Sequence, residues 1–161
     1  MNMKSFVSFI IVVSVFMMGC ATAPSPRQSQ RTSAVIDAPK DKVWPLLVEE
    51  VGSKYAIQAI DKESGSITTQ VVRMPVVHRN TKSFRNYVFI GGPGASYQYE
   101  RLRMNMRITA TEFEQEKTTI TINAHYEAYV THRDQGRAWM IFPSNGSVEN
   151  QILTNIEDKL E

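Results

Sequence analysis

Polar and apolar side chains alternate strictly over residues 101–110. Arg101, Arg103, Asn105, Arg107 and Thr109 fall on one side of an extended chain, and Leu102, Met104, Met106, Ile108 and Ala110 on the other. Successive side chains of a strand point to opposite faces, so this period of two predicts a strand with one face on a core and one in water. A second run places Ile120, Ile122, Ala124, Tyr126 and Ala128 between Thr121, Asn123, His125 and Glu127. With residues 114–117 as the turn, the two runs form an antiparallel pair. Apolar residues face each other when Met106 stands opposite Ala124. That register also sets Met104 opposite Tyr126, and Arg103 opposite Glu127 on the hydrophilic face.

Two segments follow the helical period instead. Val43, Leu47 and Val51 recur every four residues with Trp44 and Val48 beside them, giving a wide apolar stripe. Pro39 suits the first helical position, Asp41 the positive helix end, and Gly52 the stop. The internal Pro45 predicts a kinked or irregular first turn. Near the end of the chain Val148, Ile152, Leu153, Ile156 and Leu160 mark a terminal helix, with Ser147 as N-cap and Glu149 near its positive end. Shorter strands are predicted at 32–37, at 55–60 and 66–73 as a hairpin turning on Gly65, and at 138–142 after a turn near 134–136. Residues 74–99 carry Pro75, an apolar patch at 87–90 and a glycine cluster at 91–94. That cluster lacks the spacing of a phosphate or dinucleotide loop, so it reads as a loop. The order of elements predicts an α+β fold, a single antiparallel curved sheet with two helices packed on one face.

The first twenty residues have a different character. Lys4 precedes an apolar run from Phe6 to Met18, broken only by Ser8 and Ser14, and Gly19-Cys20 follows at once. The run is too short for a permanent span of about 20 residues and suits the core of a signal peptide. Cys20 is the chain's one cysteine. The arrangement resembles the lipobox of bacterial lipoproteins, in which the cysteine thiol takes a diacylglycerol and becomes the first mature residue. The same residues also admit a cleaved secretory peptide with a coincidental cysteine, or an uncleaved anchor. On the lipobox reading, residues 1–19 are the signal peptide, 20–34 a lipidated flexible tether rich in Pro, Ser and Gln, and 35–161 the domain. Cys20 is then an attachment point, because two acyl chains suffice for stable anchoring. Ala21 stands where an aspartate would mark inner-membrane retention, so the resemblance implies the outer membrane, with the domain facing the periplasm.

The formal charge of +2 lacks the basic excess typical of nucleic-acid binders. A single cysteine permits no disulfide within the chain, so the core alone must hold the domain. The segments Ile-Asp-Ala-Pro-Lys-Asp-Lys-Val-Trp-Pro-Leu (36–47) and Ile-Asp-Lys-Glu-Ser-Gly-Ser-Ile-Thr-Thr (60–69), with Ser-Asn-Gly-Ser-Val-Glu (144–149), resemble the helix-grip domains of BamC-like outer-membrane lipoproteins. The resemblance implies the fold and a role beside the machinery that assembles outer-membrane β-barrels. BamC-type proteins have a long unstructured leader and two such domains, whereas this chain has a short tether and one domain.

Candidate chemistry is sparse. His78, His125 and His132 are scattered without the spacing of metal ligands, and no nucleophile has a recognisable base nearby, so neither catalysis nor a cofactor is expected. The Arg101/Arg103/Arg107 stripe admits an anionic partner or lipid head group, or simply a solvated face paired with Glu127. Tyr87, Phe89, Tyr97 and Tyr99 admit an exposed contact surface or burial in strands that extend the sheet. Met104, Met106 and Met140 read as core filler or as the lining of an adaptable pocket. The expected function is a non-enzymatic module binding an envelope protein. The alternative is a carrier of a small apolar ligand beneath the terminal helix.

Overall fold

The computed structural model describes residues 30–76, 81–90, 97–114, 116–132 and 136–161. In chain order its elements are β1 (Ser33–Ile36), α1 (Lys40–Lys54), β2 (Ile57–Asp61), β3 (Ser66–Thr69), β4 (Val72–Arg73), α2 (Thr81–Phe84), β5 (Tyr97–Glu112), β6 (Thr118–His132), β7 (Gly136–Phe142) and α3 (Ser147–Asp158). The strands form one open antiparallel sheet of order β1-β6-β5-β3-β2, with β7 also paired to β6 and β4 also paired to β5. The fold is α+β, with α1 and α3 on one face of the sheet.

The alternation in β5 and β6 becomes the two faces of this sheet. Leu102, Met104, Met106, Ile108 and Ala110 are buried, as are Ile120, Ile122, Tyr126 and Ala128. The pairings Met106↔Ala124, Met104↔Tyr126 and Arg103↔Glu127 are those the hydrophobic pattern requires. Val43, Trp44, Leu47 and Val51 of α1 cover the apolar face together with Val148, Ile152, Leu153 and Ile156 of α3. Among the described residues the buried core runs from Ile36 to Ile156.

Several local expectations are corrected. Pro39 is the N-cap of α1 rather than its first residue, and α1 is a continuous helix despite Pro45. Pro45 and Asp41 are both exposed. Gly52 does not stop the helix, which runs to Lys54. A Cβ at Gly52 would make only an ordinary contact with Ile57, 3.5 Å from its Cδ1. The arm expected at 66–73 is split into β3 and β4. Between them the Thr69 hydroxyl accepts the Met106 N–H at 2.9 Å and replaces a strand partner for β5. A third, single-turn helix, α2, lies between Pro75 and the apolar patch at 87–90, where the sequence pattern predicts no element. The turn near 134–136 and the cluster at 91–94 lie largely or wholly outside the described residues.

Gly65 fulfils its expected role, with φ +66° in the β2–β3 turn. A Cβ there would stand 2.0 Å from the Ala110 carbonyl oxygen. Asp61 shapes the same turn by accepting the N–H groups of Glu63 and Ser64 at 3.0 and 3.1 Å.

The structured domain also begins earlier than residue 35. Ser33 and Ala34 already pair with Thr121 and Ile120. Arg31 lies along α3, bonding Asn150 at 2.9 Å, Thr154 at 3.1 Å and Glu157 at 2.7 Å. Trp44 is buried beneath the α1 stripe. Trp44→Ala should therefore remove about 3–5 kcal/mol, a large share of an ordinary domain's stability, read as a lowered urea midpoint in equilibrium unfolding.

Candidate functional site

The sequence places its clearest functional residue, Cys20, outside the described residues, together with His78. The other two histidines are not brought together. His125 stands on the outer face opposite Asn105, with Nε2 3.4 Å from Glu127 Oε1, while His132 packs on Tyr97 with ring centres 5.0 Å apart. No group of three His, Cys, Asp or Glu side chains able to hold a metal occurs among the described residues.

The aromatic residues near the glycine cluster divide. Tyr99 is buried against Phe84 and Phe142, with ring centres 5.2 and 5.7 Å away, and Tyr97 is half-buried beside it. For this pair, incorporation into an extended strand is what the fold shows. Met104 and Met106 are core filler.

The outer face of the sheet carries the densest chemistry. Residues directly opposite in antiparallel strands share a face. The pairings Ile141↔Glu127, Glu127↔Arg103 and Arg103↔Arg73 therefore form one row across β7, β6, β5 and β4. The next row reads Trp139, Tyr129 and Arg101. Arg103 donates from Nε to Glu127 Oε2 at 2.5 Å and also pairs with it through Nη2. Its guanidinium lies 4.0 Å from the Trp139 ring centre, while that of Arg101 lies 5.7 Å from Tyr129. The Arg103 hydrogen bond holds the Glu127 carboxyl below the usual carboxylate range, and burial opposes this only in part. A shallow cleft of about 210 Å³ opens here between Val71, Arg103, Asn105, His125 and Glu127. This is smaller than a typical small-molecule pocket of ~300–1,000 Å³. A second cleft, of about 300 Å³, lies between β1 and the end of α3, where Val35, Ile36 and Leu160 meet Asp37, Glu157 and Glu161.

The interior holds two glutamates in opposite situations. Glu50 is buried at the α1–α3 contact. Burial would raise its pKa, but hydrogen bonds from Lys54 at 2.5 Å and Asn155 at 2.7 Å outweigh that and leave it lowered. Glu149 lies in the first turn of α3, near the positive helix end as expected, and is 1 % exposed. Among the described residues its Oε2 has no hydrogen-bond partner, and neither does the buried Tyr126 hydroxyl. Burial pushes the Glu149 carboxyl up, and the Ser144 hydroxyl offsets only part of this. Ser147 is the first helical residue rather than the cap. Gly146 takes the N-cap position at φ +80°, and the Ser147 hydroxyl donates to the Asn86 carbonyl at 2.7 Å. Trp139, Arg73 and Glu149 are the residues that sequence reasoning undervalued. Alternation of Arg137, Trp139 and Ile141 within the last strand is the signal that marks the first of them as outward-facing.

No protein-family model matches the chain, and no curated protein is similar enough to it to count as a relative.

The raised pKa of Glu149 carries a sign for stability. The folded chain keeps a proton that the unfolded chain releases above about pH 4.3. Stability is therefore fully present below that value and is lost as pH rises through the folded pKa. Glu149→Gln, which keeps the shape without the charge, should melt above wild type at neutral pH. Thermal melts across a pH series should show this advantage vanishing below about pH 4, near the unfolded carboxylate value.

Proposed function

We propose that the protein is a lipid-anchored component of the bacterial envelope. Acyl chains on Cys20 hold it at the outer membrane, and the domain acts in the periplasm as a non-enzymatic binding or assembly accessory for another envelope protein. The observation that carries this reading is the order of segments. A Lys4-led apolar run ends in Gly19-Cys20, a short polar linker follows, and a domain with its own core begins by Gln30. Kinship with BamC-like helix-grip lipoproteins belongs to the same proposal. It is supported by a strand, a Val-Trp-bearing helix and an acidic-Ser-Gly hairpin folding in that order, with helices over an antiparallel sheet.

Packing favours a binding module over a carrier. The space between helices and sheet is filled by Leu47, Met106, Tyr126, Ile152 and Leu153, all fully buried. A carrier would need that space for its ligand. Packing also bears on catalysis, since Glu149, the carboxyl with the raised pKa, is sealed from solvent and cannot touch a substrate.

Metabolic labelling with a fatty acid tests the anchor. Wild type should carry label and fractionate with membranes, while Cys20→Ser should lose both label and membrane fractionation or accumulate unprocessed. A correctly exported wild-type chain without label would reject the reading. Cross-linking in intact envelope followed by mass spectrometry identifies the protein partner.

A further inference from the structure

The outer sheet face is organised by more than alternation. Its two central rows grade from apolar to cationic across the sheet. On β7, Ile141 is 69 % exposed and Trp139 39 % exposed, and at the other side Arg73, Arg101 and Arg103 crowd together. Arg73 stands directly opposite Arg103, an arrangement of like charges that destabilises a sheet. The one carboxylate in these rows, Glu127, is already taken by Arg103. Among the described residues Arg73 and Arg101 have no ion-pair partner, while Val71, 62 % exposed, adds a further apolar side chain near the arginines. A face that holds unneutralised guanidinium groups beside an exposed Trp and Ile matches the chemistry of a bilayer interface. There, phosphates meet cations, and amphipathic rings and long stems settle at the level of the head groups.

The point at which the chain leaves the domain selects the same occupant. The Gln30 N–H donates to the Asn145 carbonyl at 3.1 Å, and Asn145 lies just past the end of β7. The link back to Cys20 thus joins the domain where β7 leads into α3. Ten residues reach at most about 35 Å when extended and about 17 Å on average. A domain so tethered meets the bilayer at an effective concentration on the order of millimolar, so even a weak surface contact is populated.

We infer that this face docks on the anionic lipid surface of the membrane that carries the anchor, with Trp139 and Ile141 seated among the head groups and Arg73 and Arg101 on lipid phosphates. The inference rests on the lipid-anchor reading for its geometry. The docked domain lies with the β7 edge toward the bilayer and with α1 and α3 facing away, available to a protein partner.

The test uses residues 21–161, which contain the whole described core and carry no acyl group. Co-sedimentation is measured with vesicles of phosphatidylcholine alone and of phosphatidylcholine mixed with phosphatidylglycerol. The chain should bind the anionic vesicles, ignore the neutral ones, and dissociate as salt is raised. Removing one arginine should weaken binding about fivefold, so Arg73→Gln with Arg101→Gln should weaken it about 25-fold. Trp139→Ala should weaken it several-fold, with the far-UV circular dichroism of the folded domain retained in each variant. Lys42→Gln with Lys62→Gln, away from this face, should bind as wild type. Equal binding to both vesicles, no binding to either, or loss caused by the lysine pair and not by the arginine pair would each overturn the inference. So would displacement from anionic vesicles by polyglutamate at lower concentration than by soluble phosphatidylglycerol, which would assign the face to an acidic polypeptide. The anchor reading fails separately. Unlabelled Cys20 with retained vesicle binding removes the anchor alone, and labelled Cys20 with no preference for anionic vesicles removes the docking face alone.

Discussion

The antiparallel ladder between β5 and β6 is the constraint on which the other elements depend. It runs from Tyr97↔His132 to Glu112↔Thr118 and is far longer than an ordinary strand pair. Once Met106 faces Ala124, every side chain along both strands is committed to one face or the other, because a one-residue slip would move the entire apolar set into water. Every other strand but β2 is templated directly on this pair. β1 and β7 occupy successive stretches of β6, and β3 and β4 occupy successive stretches of β5. The helices then have only one face left to cover. The Arg103–Glu127 pair lies on the opposite face and is partly exposed, so it contributes little energy. Hydrophobic facing sets the register, and the ion pair follows from it.

Much of this was legible in the sequence because the signal and the cause coincide. The alternation over 101–110 and 120–128 is the burial pattern itself, and the stripes of α1 and α3 are their contact surfaces. The reading failed where one residue shifts the phase. A bulge between Tyr99 and Arg101 shifts the register at Glu100, so the buried residues run Tyr99 then Leu102, three apart rather than two. The period of two therefore becomes visible only at Arg101, and for Tyr97 and Tyr99 the sequence left an exposed surface and burial in an extended strand both open. Pro45 misled for the opposite reason. Its rule is local, and an exposed position removes the penalty the rule assumes. Ser147 and Gly146 exchanged roles because the chain before α3 must pass beneath Gln30. A Cβ at Gly146 would lie 2.3 Å from the Gln30 carbonyl oxygen, so the tight position needs glycine and serine moves one residue on.

Glu50 and Glu149 show why the sequence could not assign the charged interior. Both sit in helices and both are buried, yet one is lowered and the other raised. The difference lies in partners far away in sequence. Glu50 receives Lys54 from its own helix, together with Lys159 at 3.5 Å and Asn155 from the C-terminal region, so the α1–α3 contact is satisfied as a network. Glu149 has the favourable field of a helix N-terminus, which is worth only ~0.3–2 kcal/mol, against the desolvation of a carboxylate with one oxygen unpaired. Desolvation wins. The least satisfied polar group of the described interior therefore lies at the first turn of α3, where the chain also joins Gln30 to Asn145.

That junction ties three parts of the molecule to one place. The segment leading back toward Cys20, the end of β7 and the first turn of α3 meet within a few residues, and Arg31 extends the connection along α3 through Asn150, Thr154 and Glu157. Arg31 is bound on several sides by the helix, so the linker ends in a fixed direction and not in a frayed strand. The helices lie on the far side of the sheet from the Arg103–Glu127 row. The same ladder that buries one face of β5 and β6 thus determines which surface carries the arginines and which carries α1 and α3.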